Sequence, residues 1–541
     1  MRREMERLVL AVNVSVAAVM ATGAVDEGAK PVLPAINTSA NRVKAPLQPG
    51  LERIGTLKPR AAHEIRRSNW TLGCETLDRD FANFESYKTY IDPLGIKTIR
   101  LQAGWAKCER TKGRYDFAWL DRIVDYAVAN GLNVLLETDY GNPVYPGGGG
   151  WDLAGGFPTS EEGLAGWDAW VDAITKHFAG RVNKWLMWNE PDIRPYDGSP
   201  KKTPEQIAVF NVRTAKIVKR NIPDAEITGL SLATSSPVFF EDCLKGLGDQ
   251  VSLFVNFIYH GYTPAPEQSY ANVEKLKAVV AKYAPHATMW QGENGCPSEM
   301  REDAFALNNI SWSEYSQAKW DMRRMLGDLG HDVPSSVYTI CDFRHEGKGV
   351  DRGMNNKGLI RANEDKEVVG IKRAYYAVQN VVSVFDDTLM RVKDSRHRAG
   401  FGTDDGSLST YHYVKDDGSN LFVFWTHGRD FSYLTKEDKA KLEKDAEKAR
   451  PADGTLTRAG RCIMKFERPG DSFATRPAAF SLTGEHMKAF KEPVWVDLFT
   501  GRVYEFPKAY QAVGKTVVTF FNVPVYDSPC VLAEKSALHL Q

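Results

Sequence analysis

The sequence predicts an α/β fold, a (β/α)8 TIM barrel followed by a small antiparallel β-sandwich domain. Three observations lead there. Between residues 70 and 341 eight short apolar runs alternate with amphipathic stretches, the pattern of a parallel sheet with helical crossovers. Eight is the count that closes such a sheet into a barrel, and the glycine-rich phosphate turn of a doubly wound open sheet is absent after Gly73. From about residue 388 the period changes to short alternating strands separated by turn signals such as Asp416-Asp417-Gly418 and Thr500-Gly501. The 541 residues accommodate a barrel plus a smaller unit.

Residues 1–24 read as a secretory signal peptide. Arg2, Arg3 and Arg7 precede an apolar stretch over 8–20, and small residues follow at Ala21–Ala24. The run is too short to span a bilayer, so the expectation is a secreted or periplasmic protein with no membrane span. Residues 25–64 carry Pro31, Pro34, Pro46, Pro49 and Pro59 without a sustained apolar period, and read as a linker or N-terminal arm. The barrel is placed at 65–387. Its strands are expected at 70–74, 97–102, 133–138, 184–188, 226–233, 253–259, 288–292 and 336–341. Amphipathic helices are expected at 116–130, 162–178, 204–221, 270–283, 312–329 and 367–385. The β-sandwich is placed at 388–541, with strands at 408–414, 420–426, 461–467, 493–499 and 515–521. A nearly all-charged stretch at 436–450 reads as a solvated helical insertion in that domain.

Composition narrows the function classes. Lys+Arg and Asp+Glu are 69 each, so the chain has no electrostatic footprint for nucleic acid or an acidic membrane surface. The seven cysteines are scattered, with no CxxC and no cluster, which argues against a metal site and for buried free thiols, with one bridge still open.

In a parallel barrel, reactive groups stand at the C-terminal ends of the strands. Two segments end there with a carboxylate beside polar and aromatic neighbours. LMWNEPD (186–192) runs from an apolar strand into Trp188-Asn189-Glu190 and is stopped by Pro191. MWQGENG (289–295) leads from Trp290 through Gly292 to Glu293, and Gly295 lets the chain turn away. They fall on the fourth and seventh expected strands, which face each other across the mouth. Two opposed carboxyl groups are what cleavage of a glycosidic bond requires: one protonates the leaving oxygen, the other attacks the anomeric carbon or activates water. A lone strand-end glutamate is more often a loop carboxylate; the pairing and its strand order change that balance.

The pattern resembles clan A of the glycoside hydrolases, retaining enzymes on (β/α)8 barrels, and is nearest in style to families 5 and 39. The similarity covers roughly residues 65–535. Asn189-Glu190 and Glu293 match the clan signature of Asn-Glu after strand four and Glu after strand seven. The resemblance implies that Glu190 is the acid/base and Glu293 the nucleophile, with Asn189 on the sugar 2-hydroxyl. It further implies that Arg100 holds the nucleophile charged and that His260 and Tyr262 stand beside it. No metal or organic cofactor is implied; the partner is a carbohydrate with β-linked sugars. Trp105, Trp151 and Trp290 are candidates for stacking on sugar rings, with a core role as the competing reading. Glu75, Asp139 and Asp342 end strands one, three and eight and could bind hydroxyls, with His345 and Glu346 nearby. One departure stands out: many clan members end strand eight with a Trp, and here the stretch is CDFRHE, where Phe343 or His345 could substitute. The sugar, and endo or exo action, therefore stay open.

Overall fold

The computed structural model describes residues 45–541 except 154, 196–197, 199, 300–304, 308–309, 311, 348–349, 394–395, 401–407, 428–472 and 484–488. The expected signal peptide, the first part of the expected arm, the charged stretch 436–450, the expected strand 461–467 and Cys462 lie outside the described residues.

Eight parallel strands close into a barrel in sequence order. They are Trp70–Gly73, Thr98–Gln102, Asn133–Thr138, Lys184–Met187, Glu226–Leu232, Asn256–Tyr259, Thr288–Asn294 and Ser335–Val337. The first strand pairs with both the second and the eighth, which seals the ring. Every residue of the second strand is buried, as expected for a strand covered on the outside by helices and on the inside by its neighbours' side chains. Long helices cover the outside at Ala118–Ala129, Glu161–Phe178, Pro204–Asn221, Tyr270–Tyr283, Glu314–Gly330 and Arg373–Val384. The third of these starts on a reciprocal cap: Thr203 accepts from the Gln206 amide, Gln206 accepts from the Thr203 amide, and Pro204 occupies the first turn.

Three expectations need correction. A helix at Pro237–Leu247 was missed between the fifth and sixth strands, although Ser236 caps it and Pro237 opens it. The expected helix at 367–385 begins later, because Val368–Ile371 is instead a strand paired with Ile360–Ala362. Within the expected arm, Arg53–Thr56 is a strand that pairs with Arg502–Glu505, a partner some 450 positions away that no local pattern announces.

The C-terminal part forms two antiparallel sheets. The larger runs in the order Arg53–Thr56, Arg502–Glu505, Pro493–Asp497, Cys530–Glu534, Asn420–Thr426, Leu408–Lys415, Leu389–Arg391; the smaller is Arg396–Gly400, Arg476–Thr483, Val517–Val525, Gln511–Val513. One outer helix and the turn Pro266–Ser269 tie this unit to the barrel. The Asn380 amide donates to the Leu498 carbonyl at 2.9 Å, and the buried Trp425 indole donates to Glu267 at 2.7 Å. Among the described residues no helix is long and apolar enough to cross a membrane. The six described cysteines are free and buried.

Candidate active site

The fourth strand ends at Met187, and the chain then departs sharply from extended geometry. Trp188 has φ +57° and Glu190 φ +49°, both left-handed and disfavoured for residues with a side chain. Each such residue costs on the order of 1–3 kcal/mol and persists only where its surroundings hold it. Here the Trp188 amide donates to the Thr138 carbonyl at 3.1 Å, and the Glu190 amide to the Ser231 carbonyl at 2.9 Å. The Trp188 ring lies against Trp167, Phe157, Phe210 and Tyr140. The strain aims Asn189 and Glu190 into the mouth.

On the seventh strand the constraint is space. A Cβ on Gly292 would come within 1.9 Å of Ile258, and one on Gly295 within 1.9 Å of the Tyr338 carbonyl. Both positions need glycine because neighbouring atoms approach so closely; Gly295 is required for contact more than for turning. Glu293 stands between them.

Glu190, His260 and Glu293 converge, each offering one ligand atom, and these atoms lie within 4.8 Å of one another. His260 Nδ1 is 2.8 Å from Glu190 Oε1 and 3.8 Å from Glu293 Oε2, and its Nε2 faces Ser231 Oγ at 3.2 Å. Glu293 Oε1 accepts from the Tyr262 hydroxyl at 2.8 Å, and Oε2 accepts from Arg100 Nη1 at 2.9 Å. Arg100 Nη2 donates to both oxygens of Glu137, at 3.0 and 2.9 Å, and to Asn189 Oδ1 at 2.8 Å. Glu75 Oε1 lies 3.3 Å from Arg100 Nη1. The Glu190 and Glu293 side chains keep 11% and 12% exposure, while those of Arg100, Glu137 and His260 keep none. Both carboxyls are thus open to the mouth, where a substrate can reach them. The same trio could hold a metal ion by spacing alone, but the Arg100 guanidinium already neutralises Glu293, a poor setting for a second cation.

The electrostatics separate the two carboxyls. Burial pushes Glu190 above the usual carboxylate range; His260 offsets this in part and the Glu293 charge adds to it. Burial also acts to raise Glu293, but His260, Arg100 and the Tyr262 hydrogen bond outweigh it and hold the carboxyl below its ordinary value. For His260 burial works against the charged form, and the two glutamates more than compensate, so its pKa rises. Around Arg100 there are more carboxyls than one guanidinium can balance. Burial takes Glu75 up to about 8 and Glu137 up to about 7.

The structure therefore brings together Glu190, Glu293, Asn189, Arg100, His260, Tyr262 and Glu75. Other expected site residues stand elsewhere. Trp105 is fully buried, stacked on Tyr145 and Trp170, with its indole N–H on Glu109 at 2.6 Å, so no ring face is left for a sugar. Trp290, partly buried, packs against Leu135, Leu186 and Ile258, three residues before Glu293 on its strand. Asp139 is buried, accepts from the Gly104 amide at 3.4 Å, and feels the charge of Glu137. Asp342 is tied to Lys372 at 2.6 Å and to the Gly358 amide at 3.0 Å. Trp151, half-buried, packs on the cluster of Phe81, Tyr338 and Phe343. Phe343 and His345 do not take the place of the strand-eight Trp: His345 sits among Phe81, Phe305 and Phe343. The aromatic at that strand's end is Tyr338, whose hydroxyl is pushed well up by burial and by the nearby charges of Glu293 and Glu75. Sequence reasoning missed Tyr338, Glu137 and Tyr140. An acidic residue closing the apolar run NVLLET was the available signal for Glu137.

The eight-stranded parallel barrel is a fold that this chain shares with solved glycoside hydrolases. A glycoside hydrolase 42 family model, described as beta-galactosidase, matches residues 80–146. A family 39 glycoside hydrolase from the gut symbiont Bacteroides cellulosilyticus WH2 is similar in structure, with a TM-score of 0.55 at 16% identity, over 88% of this chain and 83% of that one. A GH39 enzyme from Xanthomonas axonopodis pv. citri gives a TM-score of 0.54 at 15% identity, over 88% of this chain and 95% of that one. No match to this sequence is found among curated proteins.

Proposed function

We propose that this chain is a retaining glycoside hydrolase, exported from the cytoplasm, that cleaves β-linked carbohydrate by double displacement. The observation that carries the reading is the carboxyl pair: an oxygen of Glu190 and one of Glu293 lie within 4.8 Å. Retaining enzymes hold their carboxyls about 5–5.5 Å apart, whereas inverting ones leave roughly 6.5–9.5 Å for a water. The opposite protonation biases fit the same division of labour.

Glu190, kept protonated by burial and by the charge of Glu293, gives its proton to the leaving glycosidic oxygen. Glu293, kept ionised by Arg100, His260 and Tyr262, attacks the anomeric carbon and forms a glycosyl ester. Glu190, now ionised, takes a proton from the incoming water, whose oxygen displaces Glu293 and restores the starting configuration. Asn189, fixed through its oxygen by Arg100, turns its amide toward the sugar 2-hydroxyl. Glu293→Ala should abolish turnover of aryl β-glycosides, and azide should restore it with a product of inverted configuration. Near-normal activity in Glu293→Ala refutes the assignment. β-Galactosides head the substrate panel, since the matched model carries that description.

A further inference from the structure

Tyr140 follows the third strand and is buried, and its hydroxyl reaches Asn189, the neighbour of Glu190. Two amide groups donate to that oxygen: Asn189 Nδ2 at 2.8 Å and Gln102 Nε2 at 3.0 Å. The orientation of both amides is set by their other atoms. Asn189 Oδ1 accepts from Arg100, which can only donate. Gln102 Oε1 accepts from the Thr76 amide at 3.0 Å and from Arg79. Neither side chain can flip, so both nitrogens face Tyr140 as donors. A phenolic oxygen has two acceptor positions and one proton. Both acceptor positions are taken, and the proton has no acceptor among the described residues. Nor can the ring swing away: the Arg79 guanidinium lies 4.9 Å from its centroid and Trp188 meets it edge-on at 5.8 Å. A buried hydroxyl with a committed oxygen and an uncommitted proton is a donor held in readiness.

We propose that Tyr140 is a substrate-binding residue, donating its hydroxyl proton to the sugar hydroxyl adjacent to the one that Asn189 holds. The Asn189 nitrogen and the Tyr140 oxygen are hydrogen-bonded neighbours, so the two donors address neighbouring sugar oxygens. With Asn189 on the 2-hydroxyl, Tyr140 takes the 3-hydroxyl. The assignment rests on the glycosidase reading above, and it makes Tyr140 a determinant of which sugars are accepted at the cleavage site.

The test compares kcat/KM for an activated aryl β-glycoside and its 3-deoxy and 2-deoxy counterparts, in the wild type and in Tyr140→Phe. In the wild type, loss of the 3-hydroxyl should cost roughly 10- to 100-fold, the worth of one buried hydrogen bond. In Tyr140→Phe that penalty should shrink to about twofold or less, while most of the 2-deoxy penalty survives. Each ratio is taken within one protein preparation, so partial misfolding of the variant cancels. An unchanged 3-deoxy penalty, or a fall of all substrates by one common factor, overturns the proposal and leaves Tyr140 a structural residue. Turnover by Glu293→Ala would instead overturn the glycosidase reading, so the two failures are distinguishable.

Discussion

Glu190 and Glu293 are the same residue type at the same barrel mouth, and their surroundings differ in one decisive way. Glu293 faces a permanent cation, Arg100, and a hydroxyl donor, Tyr262. Glu190 faces only His260, whose charge is conditional, and has no arginine or lysine partner among the described residues. Burial alone would raise both carboxyls; His260, Arg100 and the Tyr262 hydroxyl together reverse its effect on Glu293, while His260 alone only offsets it on Glu190. The lesson is that the partners each strand supplies bias two like carboxyls in opposite directions. Arg100 comes from the second strand, and its other contacts with Glu137 and Asn189 tie three strands to that one charge.

The largest way to break the comparison is to remove the acid. Glu190→Gln should lower kcat/KM, which reports the glycosylation step, roughly 10²- to 10⁴-fold on substrates with poor leaving groups. It should do far less on dinitrophenyl glycosides, which need no proton; equal loss on both would show that Glu190 is not the acid. Next comes Arg100→Met, which leaves Glu293, Glu137 and Glu75 without their shared cation. Breaking a buried pair costs about 3–5 kcal/mol, so the melting temperature should fall by many degrees along with activity. A variant of wild-type stability would contradict the central place given to Arg100.

The pH profile sharpens the comparison without a mutation. Activity needs Glu293 ionised and Glu190 protonated, so kcat/KM should be bell-shaped. The acid limb should fall below the ordinary glutamate range and the alkaline limb above it. In Glu190→Gln the alkaline limb should vanish while the acid limb stays. The smallest effect expected is that of Glu75→Gln. The Glu75 carboxyl sits at about 8 in the folded protein against 4.5 as its ordinary value. The folded state therefore holds a proton that the unfolded chain gives up, and stability declines as pH rises between these values. Glu75→Gln should flatten that decline when melting is followed from pH 5 to pH 8; an unchanged slope would show that Glu75 is ionised throughout.

The barrel was legible because each parallel strand is an apolar run and each helix carries a 3.6-residue stripe; all eight strands overlap the expected runs, the sixth starting at Asn256 and the eighth already ending at Val337. The carboxyl pair was legible because a strand end fixes where a side chain stands; Asn189, Arg100, His260 and Tyr262 were legible only through the resemblance to clan A. What sequence could not give was the side of the wall. Trp105 and Trp290 lie on or beside barrel strands, and strands covered on both faces carry apolar residues on each, so nothing local tells a packed indole from one open to a sugar. Tyr140 was missed for a related reason: its role depends on amides from two other strands. Arg53–Thr56 was hidden by its distant partner.

The most direct test of the central claim is to trap the covalent intermediate. An activated 2-deoxy-2-fluoro β-glycoside should inactivate the protein in a time-dependent way. Digestion and mass spectrometry should then place a single sugar adduct on the peptide that contains Glu293. An adduct on Glu190, or hydrolysis with inverted configuration and no adduct at all, would contradict the account.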